Sequence, residues 1–237
     1  MPQDSSSLEG ALYLRSLFLG PPKEGKTTTL IKSACESLGL GYVIECSSKE
    51  HLRTAQAETV GKPWQFDVVK SQEDFDTAIK TARGGAKEGK YKWVLVDDFN
   101  VFADRLEVKL HEQFKAGYVA FQQLGMILQN NTLRLLDIPE CHVMFTMHLM
   151  EVSEAVIEGQ VPKKGKGLVP CLTGKSRNVI PGHMNQVILF QKNRNGERVF
   201  AVNPEGVWGI GIQGGRNKDT AEIPADLNKL IEHIRGT

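Results

Sequence analysis

Gly20-Pro21-Pro22-Lys23-Glu24-Gly25-Lys26-Thr27 fits G-x-x-x-x-G-K-[ST], a pattern whose chemistry is to wrap a row of phosphates in backbone N–H groups. Its flanks turn the match into a mechanism. Ser16-Leu17-Phe18-Leu19 reads as a buried strand, and residues 28–38 carry Leu30, Ile31, Ala34 and Leu38 at helical spacing. A strand feeding a glycine loop that opens into a helix aims the unpaired N–H groups of the first turn at an anion. Residues Gly20, Pro21, Pro22, Lys23, Glu24, Gly25, Lys26, Thr27 and Thr28 are therefore assigned to a nucleoside triphosphate. Lys26 reaches the β and γ oxygens, and the Thr27 hydroxyl helps hold Mg²⁺.

Working outward, strands alternate with helices. Tyr42-Val43-Ile44 is a strand ending at Glu45-Cys46, and Ser47 or Ser48 caps a helix through His51, Leu52 and Ala55. Phe66-Asp67-Val68-Val69 is a further short strand. Ser71 opens a helix carrying Phe75, Ala78, Ile79 and Ala82, which Gly84-Gly85 is expected to stop. This order implies a parallel sheet with both faces covered. Trp93-Val94-Leu95-Val96 then reads as a central strand, with Asp97 and Asp98 at its carboxyl end. Ligands of open parallel sheets bind beyond that end, where the phosphate loop also lies. Asp97 is accordingly assigned to the metal. Asp98 either polarises the attacking water or caps the next element.

Residues 104–136 carry Leu106, Leu110, Phe114, Tyr118, Phe121, Leu124 and Leu128 at spacings of three and four. The spacing predicts an amphipathic helix whose aromatic positions are core, with Gly117 and Gly125 marking close approach or a break. The strand His142 to His148 ends in Thr146 and His148, polar groups where the γ-phosphate should lie. His148 reads equally as a phosphate sensor or as a structural histidine. Past Glu151 the pattern loosens, with Val152, Val156 and Ile157 a candidate hairpin strand. Lys163, Lys164 and Lys166 lie in a basic loop, either a DNA-backbone contact or a solvated turn. Val187–Phe190 and Arg198–Val202 flank Asn195-Gly196, a hairpin turn signal. Residues 207–212 supply a third strand and residues 224–234 a closing helix.

The 237 residues suit one α/β domain, residues 11–237, behind a polar arm of residues 1–10. Hydrophobic residues at 41% and charged residues at 24% describe an ordinary globule, and a net charge of +1 excludes an overall basic field. No apolar run approaches the length needed to cross a bilayer, and no signal peptide is evident. Cys35, Cys46, Cys141 and Cys171 lack zinc-ligand spacing and read as buried reduced thiols, which points to a cytoplasmic protein.

The loop at 20–28, the strand ending at Glu45, Val94-Leu95-Val96-Asp97, Thr146-Met147-His148, and Arg216 followed by Pro224-Ala225-Asp226-Leu227 together resemble a RecA-like ATPase core. More closely they resemble phage-type RecA-like nucleotide-binding proteins linked to single-strand annealing and recombination. The resemblance implies a mostly parallel central sheet with helices on both faces and a C-terminal antiparallel extension. It implies an ATPase acting on single-stranded DNA, in a homo-oligomer whose neighbouring subunit completes each nucleotide site with a basic residue. Arg216 is the first choice for that trans-acting finger, with Lys175 and Arg177 in reserve. Two departures stand out. The family's acid after the second strand is replaced by Glu45-Cys46-Ser47-Ser48, which leaves Glu45, Glu50 or Asp98 as the water-orienting group. Of the family's Lys-x-Arg pair, only Arg216 is matched. A different class of function also fits the near-neutral charge: an ATP-dependent protein-interaction switch without DNA. A small-molecule kinase lacks an identifiable arginine-rich lid.

Overall fold

The apolar run after Arg15 becomes β1 (Arg15–Gly20), buried from Ser16 to Gly20. It leads into α1 (Lys26–Ser37), β2 (Gly41–Glu45), α2 (Leu52–Glu58), β3 (Trp64–Val68), α3 (Gln72–Lys87) and β4 (Trp93–Asp97). Next come α4 (Phe99–Gln113), α5 (Gly117–Leu136), β5 (His142–Val152), β6 (Lys166–Pro170) and α6 (Ser176–Gly182). The chain closes with β7 (Gln186–Lys192), β8 (Arg198–Val202), β9 (Val207–Trp208), β10 (Gly211–Ile212), β11 (Ala221–Pro224) and α7 (Leu227–Arg235). The computed structural model describes residues 13–48, 50, 52–152, 166–204, 207–208, 211–212 and 220–235.

The main sheet runs β11-β8-β7-β1-β5-β4-β2-β3. From β7 to β3 every pairing is parallel, while β8 pairs antiparallel with β7 and β11 antiparallel with β8. Consecutive apolar residues in the strands bury alternate side chains on opposite faces, as a doubly covered sheet requires. Leu17, Leu19, Val94, Val96, Phe145 and Leu189 join one core with residues of α3, α4 and α5, whereas Phe18, Trp93, Leu95, Met144 and Phe190 join a second core with α1, α2 and α7.

The register decides where the functional ends meet. β5 lies between β1 and β4, pairing Gly20 with His148 and Phe18 with Thr146 on one side and Val96 with Phe145 on the other. Glu45 pairs with Asp97. The phosphate loop and the strand-end acids therefore share the carboxyl edge of the sheet.

Several expectations are corrected. The stripe across residues 104–136 is two helices: Phe114 takes an extended conformation (φ −112°, ψ 116°) as the C-cap of α4, and the chain restarts at Gly117. The restart changes the buried face. Leu106, Leu110, Leu124 and Leu128 are core, but Tyr118 is 75% and Phe121 43% exposed. Gly84 and Gly85 do not stop α3, which continues to Lys87. Gly85 instead makes room for the Tyr91 ring, whose Cδ2 would lie 2.2 Å from an added Cβ. Strand β5 runs past His148 to Val152 and pairs antiparallel with β6, while Val156 and Ile157 lie outside the described residues. The single strand expected over 207–212 divides: β9 pairs with β6 and β10 with β7. Pro224 ends the unanticipated strand β11 instead of opening the last helix, and helix α6 occupies the basic stretch after Gly174. Cys35, Cys46 and Cys141 are buried and Cys171 is exposed; all four are free.

Candidate functional site

Gly25 is the N-cap of α1 at φ +86°, a left-handed conformation that glycine adopts without steric cost, and no side chain caps the first turn. Gly20 must be glycine for a different reason: an added Cβ would lie 2.6 Å from the Phe190 carbonyl oxygen on the neighbouring strand. Between them Pro21, Pro22 and Lys23 are exposed and Glu24 pairs with Lys192 at 3.0 Å; Thr28 is buried in the first turn of α1. Lys26 folds back over the loop, its Nζ donating to Gly20 O at 3.0 Å and Pro21 O at 2.9 Å. Burial draws its ammonium below the usual lysine range, with Asp98, Asp97 and Glu24 opposing.

Thr27 faces Asp97: its hydroxyl lies 2.8 Å from both carboxylate oxygens. On the intervening strand, Thr146 Oγ1 donates to Asp97 Oδ1 at 2.5 Å and accepts the Asp98 N–H at 2.8 Å. Thr146 thus fixes both acids at the end of β4. Glu45 is fully buried beside them and accepts from the Ser47 N–H at 2.6 Å and from the Ser47 hydroxyl. The segment after β2 is itself clamped by Arg105 of α4, whose Nη1 donates to Cys46 O at 2.6 Å and Nη2 to Ser47 O at 2.8 Å.

Asp98 occupies the N-cap position of α4 in a left-handed conformation (φ 51°) and makes no side-chain capping bond. Its Oδ1 instead lies 3.5 Å from His148 Nε2. Asn100, which no sequence pattern singles out, accepts the His148 N–H at 3.0 Å and brings its amide nitrogen to 3.5 Å from His148 Nδ1. Only its place in the first turn after Asp98 hints at this.

Glu45, Asp97 and Asp98 thus crowd together, and Asp97 and Asp98 both act on Lys26. Burial, then the neighbouring charges of Glu45 and Asp98, push the Asp97 carboxyl up to about 8 against the hydrogen bonds from Thr146 and Thr27. Glu45 is raised chiefly by burial. Such a surplus of buried negative charge is what a divalent cation relieves. Among the described residues no three His, Cys, Asp or Glu side chains form a metal cage. Thr27 and Asp97 are the side chains placed to hold a cation that keeps most of its waters beside bound phosphates, as Mg²⁺ does.

The fold therefore brings Lys26, Thr27, Glu45, Asp97, Asp98, Thr146 and His148 to one edge. Arg216, Lys163 and Lys164 lie outside the described residues, and Lys166 opens β6, paired with Val207. Lys175 and Arg177 belong to a different place, the start of α6. There Lys175 lines a hollow against α5 and Arg177 Nε donates to Gly174 O at 3.0 Å. Among the described residues no helix is long and apolar enough to cross a membrane.

No protein-family model and no curated protein matches the sequence. Among solved structures, the chain is similar to a prototypical ATPase from the type III secretion system of pathogenic bacteria, at 12% identity and a TM-score of 0.50, covering 77% of this chain and 51% of that one. A second similar structure is the assembled ATPase EscN of the enteropathogenic E. coli type III secretion system, at 10% identity and a TM-score of 0.47, covering 75% and 43%. The chain spans about half the length of the structures it matches. At this identity the likeness is one of fold alone: a mostly parallel mixed sheet with helices and a C-terminal antiparallel part.

Proposed function

We propose that this chain, as one RecA-like domain over residues 11–237, binds ATP with Mg²⁺ at residues 20–28 and hydrolyses it by in-line attack of water on the γ-phosphate. The observation that carries this is the placing of the Thr27 hydroxyl 2.8 Å from both Asp97 oxygens, with Thr146 bracing Asp97 from the strand between them. The loop N–H groups and Lys26 bind the triphosphate, and Thr27 and Asp97 hold the metal. Bound Mg²⁺ supplies positive charge to the phosphoryl oxygens. Asp98, paired with His148, orients the water; its side chain is 11% exposed, whereas Glu45 is fully buried and held by Ser47. His148 reports the γ-phosphate to β5 and, through Asn100, to α4. The test is phosphate release from ATP with Mg²⁺. Lys26→Ala and omission of Mg²⁺ should each lower turnover by about a hundredfold or more, a loss of ~2.7 kcal/mol in transition-state stabilisation. Wild-type turnover in Lys26→Ala would refute the reading.

The finer reading places this ATPase in phage-type recombination or annealing on single-stranded DNA, as a homo-oligomer with Arg216 completing a neighbour's site. It is supported by the motif resemblance and by Lys163, Lys164 and Lys166 in one short stretch. Turnover should then rise with single-stranded DNA and with protein concentration, and the DNA effect should be lost in the triple Lys→Ala variant. Insensitivity to DNA would favour the protein-interaction switch instead. That reading has its own observation: Phe121 and Met126 of α5 and Val179 of α6, 43%, 58% and 37% exposed, line one hollow.

A further inference from the structure

Two cations of the β7–β8 hairpin reach down to the phosphate loop. Lys192 and Arg198 are cross-strand partners at the mouth of this hairpin. Its turn is tightly bonded: Asn193 Oδ1 accepts the N–H groups of Asn195 and Glu197, both at 2.9 Å, and Gly196 adopts φ +81°. Lys192 is matched to Glu24, 3.0 Å away. Arg198 is placed differently. Its guanidinium lies over Gly25, where an added Cβ would be 2.7 Å from Nη2, 2.9 Å from Cζ and 3.3 Å from Nε. Those similar distances mean that the planar group faces the glycine. Glu36, Glu58 and Asp226 line the same hollow as Arg198. Glu36 is taken by Lys62, and Asp226 accepts the N–H groups of Asn228 and Lys229.

These carboxylates draw a cation into the hollow, yet among the described residues none forms an ion pair with Arg198, whose guanidinium lies over Gly25 instead. Gly25 caps the N-terminus of α1, where the helix dipole is positive and repels a guanidinium. An exposed arginine has many rotamers that would carry it into water, so its resting place needs a reason. The charge balance supplies one: Lys26 already faces Asp98, Asp97 and Glu24, and a triphosphate brings more negative charge than one Mg²⁺ cancels. A guanidinium fork binds phosphate oxygens through two parallel N–H···O bonds, which an ammonium cannot reproduce.

We propose that Arg198 is a second phosphate-binding residue of this site, supplied by the same chain from the β7–β8 hairpin and closing over the triphosphate at Gly25. The inference rests on the nucleotide reading above. It gives the antiparallel extension of the sheet a role in binding, because the hairpin presents a cation to the loop from the side opposite the strand-end acids.

Calorimetric titration of the full chain with Mg·ATP and with magnesium tripolyphosphate, which has no nucleoside, tests it. Arg198→Ala should weaken both ligands about tenfold to a hundredfold, the effect of losing charge-assisted hydrogen bonds. Arg198→Lys should fall between, having the charge without the fork. Unchanged affinity in Arg198→Ala overturns the assignment. So does a loss confined to ATP with tripolyphosphate unaffected, which would place Arg198 on the nucleoside. Lys26→Ala, titrated in parallel, separates the two readings. If it loses binding while Arg198→Ala does not, only the Arg198 assignment fails; if neither loses binding, the nucleotide reading fails as well. Arg198 is exposed and bonds through its backbone to Ala225, so Arg198→Ala should keep the ligand-free thermal midpoint of the parent chain. A lowered midpoint transfers the comparison to Arg198→Gln, which keeps much of the length of the side chain, and unchanged affinity there overturns the assignment equally.

Discussion

Asp97 accepts hydroxyl donors from Thr27 and Thr146 while Glu45 and Asp98 crowd it with like charge. An acid whose folded pKa is raised binds its proton more tightly in the native state than in the unfolded chain. Stability therefore falls as pH rises, over the window from about 4, where the unfolded carboxyl titrates, to the folded value of about 8. Asp97→Asn removes that contribution. In urea unfolding without nucleotide or metal, the variant should be more stable than the parent at pH 8 by about 1 kcal/mol or more, with little difference at pH 4. The same substitution should abolish Mg²⁺-dependent turnover. A variant less stable than the parent at pH 8 would show that the lost hydrogen bonds outweigh the like-charge repulsion. Arg105 acts at the same scale. Its guanidinium satisfies the Cys46 and Ser47 carbonyls, so Arg105→Ala should cost about 1–3 kcal/mol in the same unfolding measurement.

At the level of the element, α3 offers two glycines in succession with opposite expectations. Gly84 has nothing within 4 Å of an added Cβ, whereas at Gly85 that Cβ would lie 2.2 Å from the Tyr91 ring. Gly84→Ala should stabilise by about 0.5–1 kcal/mol through reduced chain entropy. Gly85→Ala should destabilise by about 1–3 kcal/mol through overpacking. Denaturant midpoints of the two variants moving in the same direction would contradict this packing. The start of α3 is legible without the structure: Ser71 accepts the Asp74 N–H at 3.1 Å and Asp74 accepts the Ser71 N–H in return, a capping box written in four residues. Its end is not. Glycine in sequence signals either a stop or a close approach, and here the position of Tyr91 selects the second. The stripe over 104–136 fails for a related reason. Periodicity reports apolar spacing, but three residues outside helical geometry, 114–116, reset the phase and turn Tyr118 and Phe121 outward.

For the whole molecule, ligand binding to the native state alone raises stability by mass action. At a concentration about one hundred times the dissociation constant, Mg·ATP should add about 2.7 kcal/mol, or about 5–10 °C in thermal midpoint for a chain of this size. Lys26→Ala should show no such shift; an equal shift in that variant would remove the loop from the binding site.

The phosphate loop, the strand before it, the helix after it and the Val94-Leu95-Val96-Asp97 strand end are all legible in the linear chain. Each is a local pattern, set by residues within a few positions of one another. What surrounds them comes from long-range packing alone. β5 enters the sheet between β1 and β4, so Thr146, far along the chain from Asp97, becomes the brace that holds it. β7 pairs with β1, so the hairpin that follows carries Lys192 to Glu24 and Arg198 to Gly25. Strand order depends on which apolar faces bury together across the whole chain, and a pattern read along a few residues contains no record of that competition.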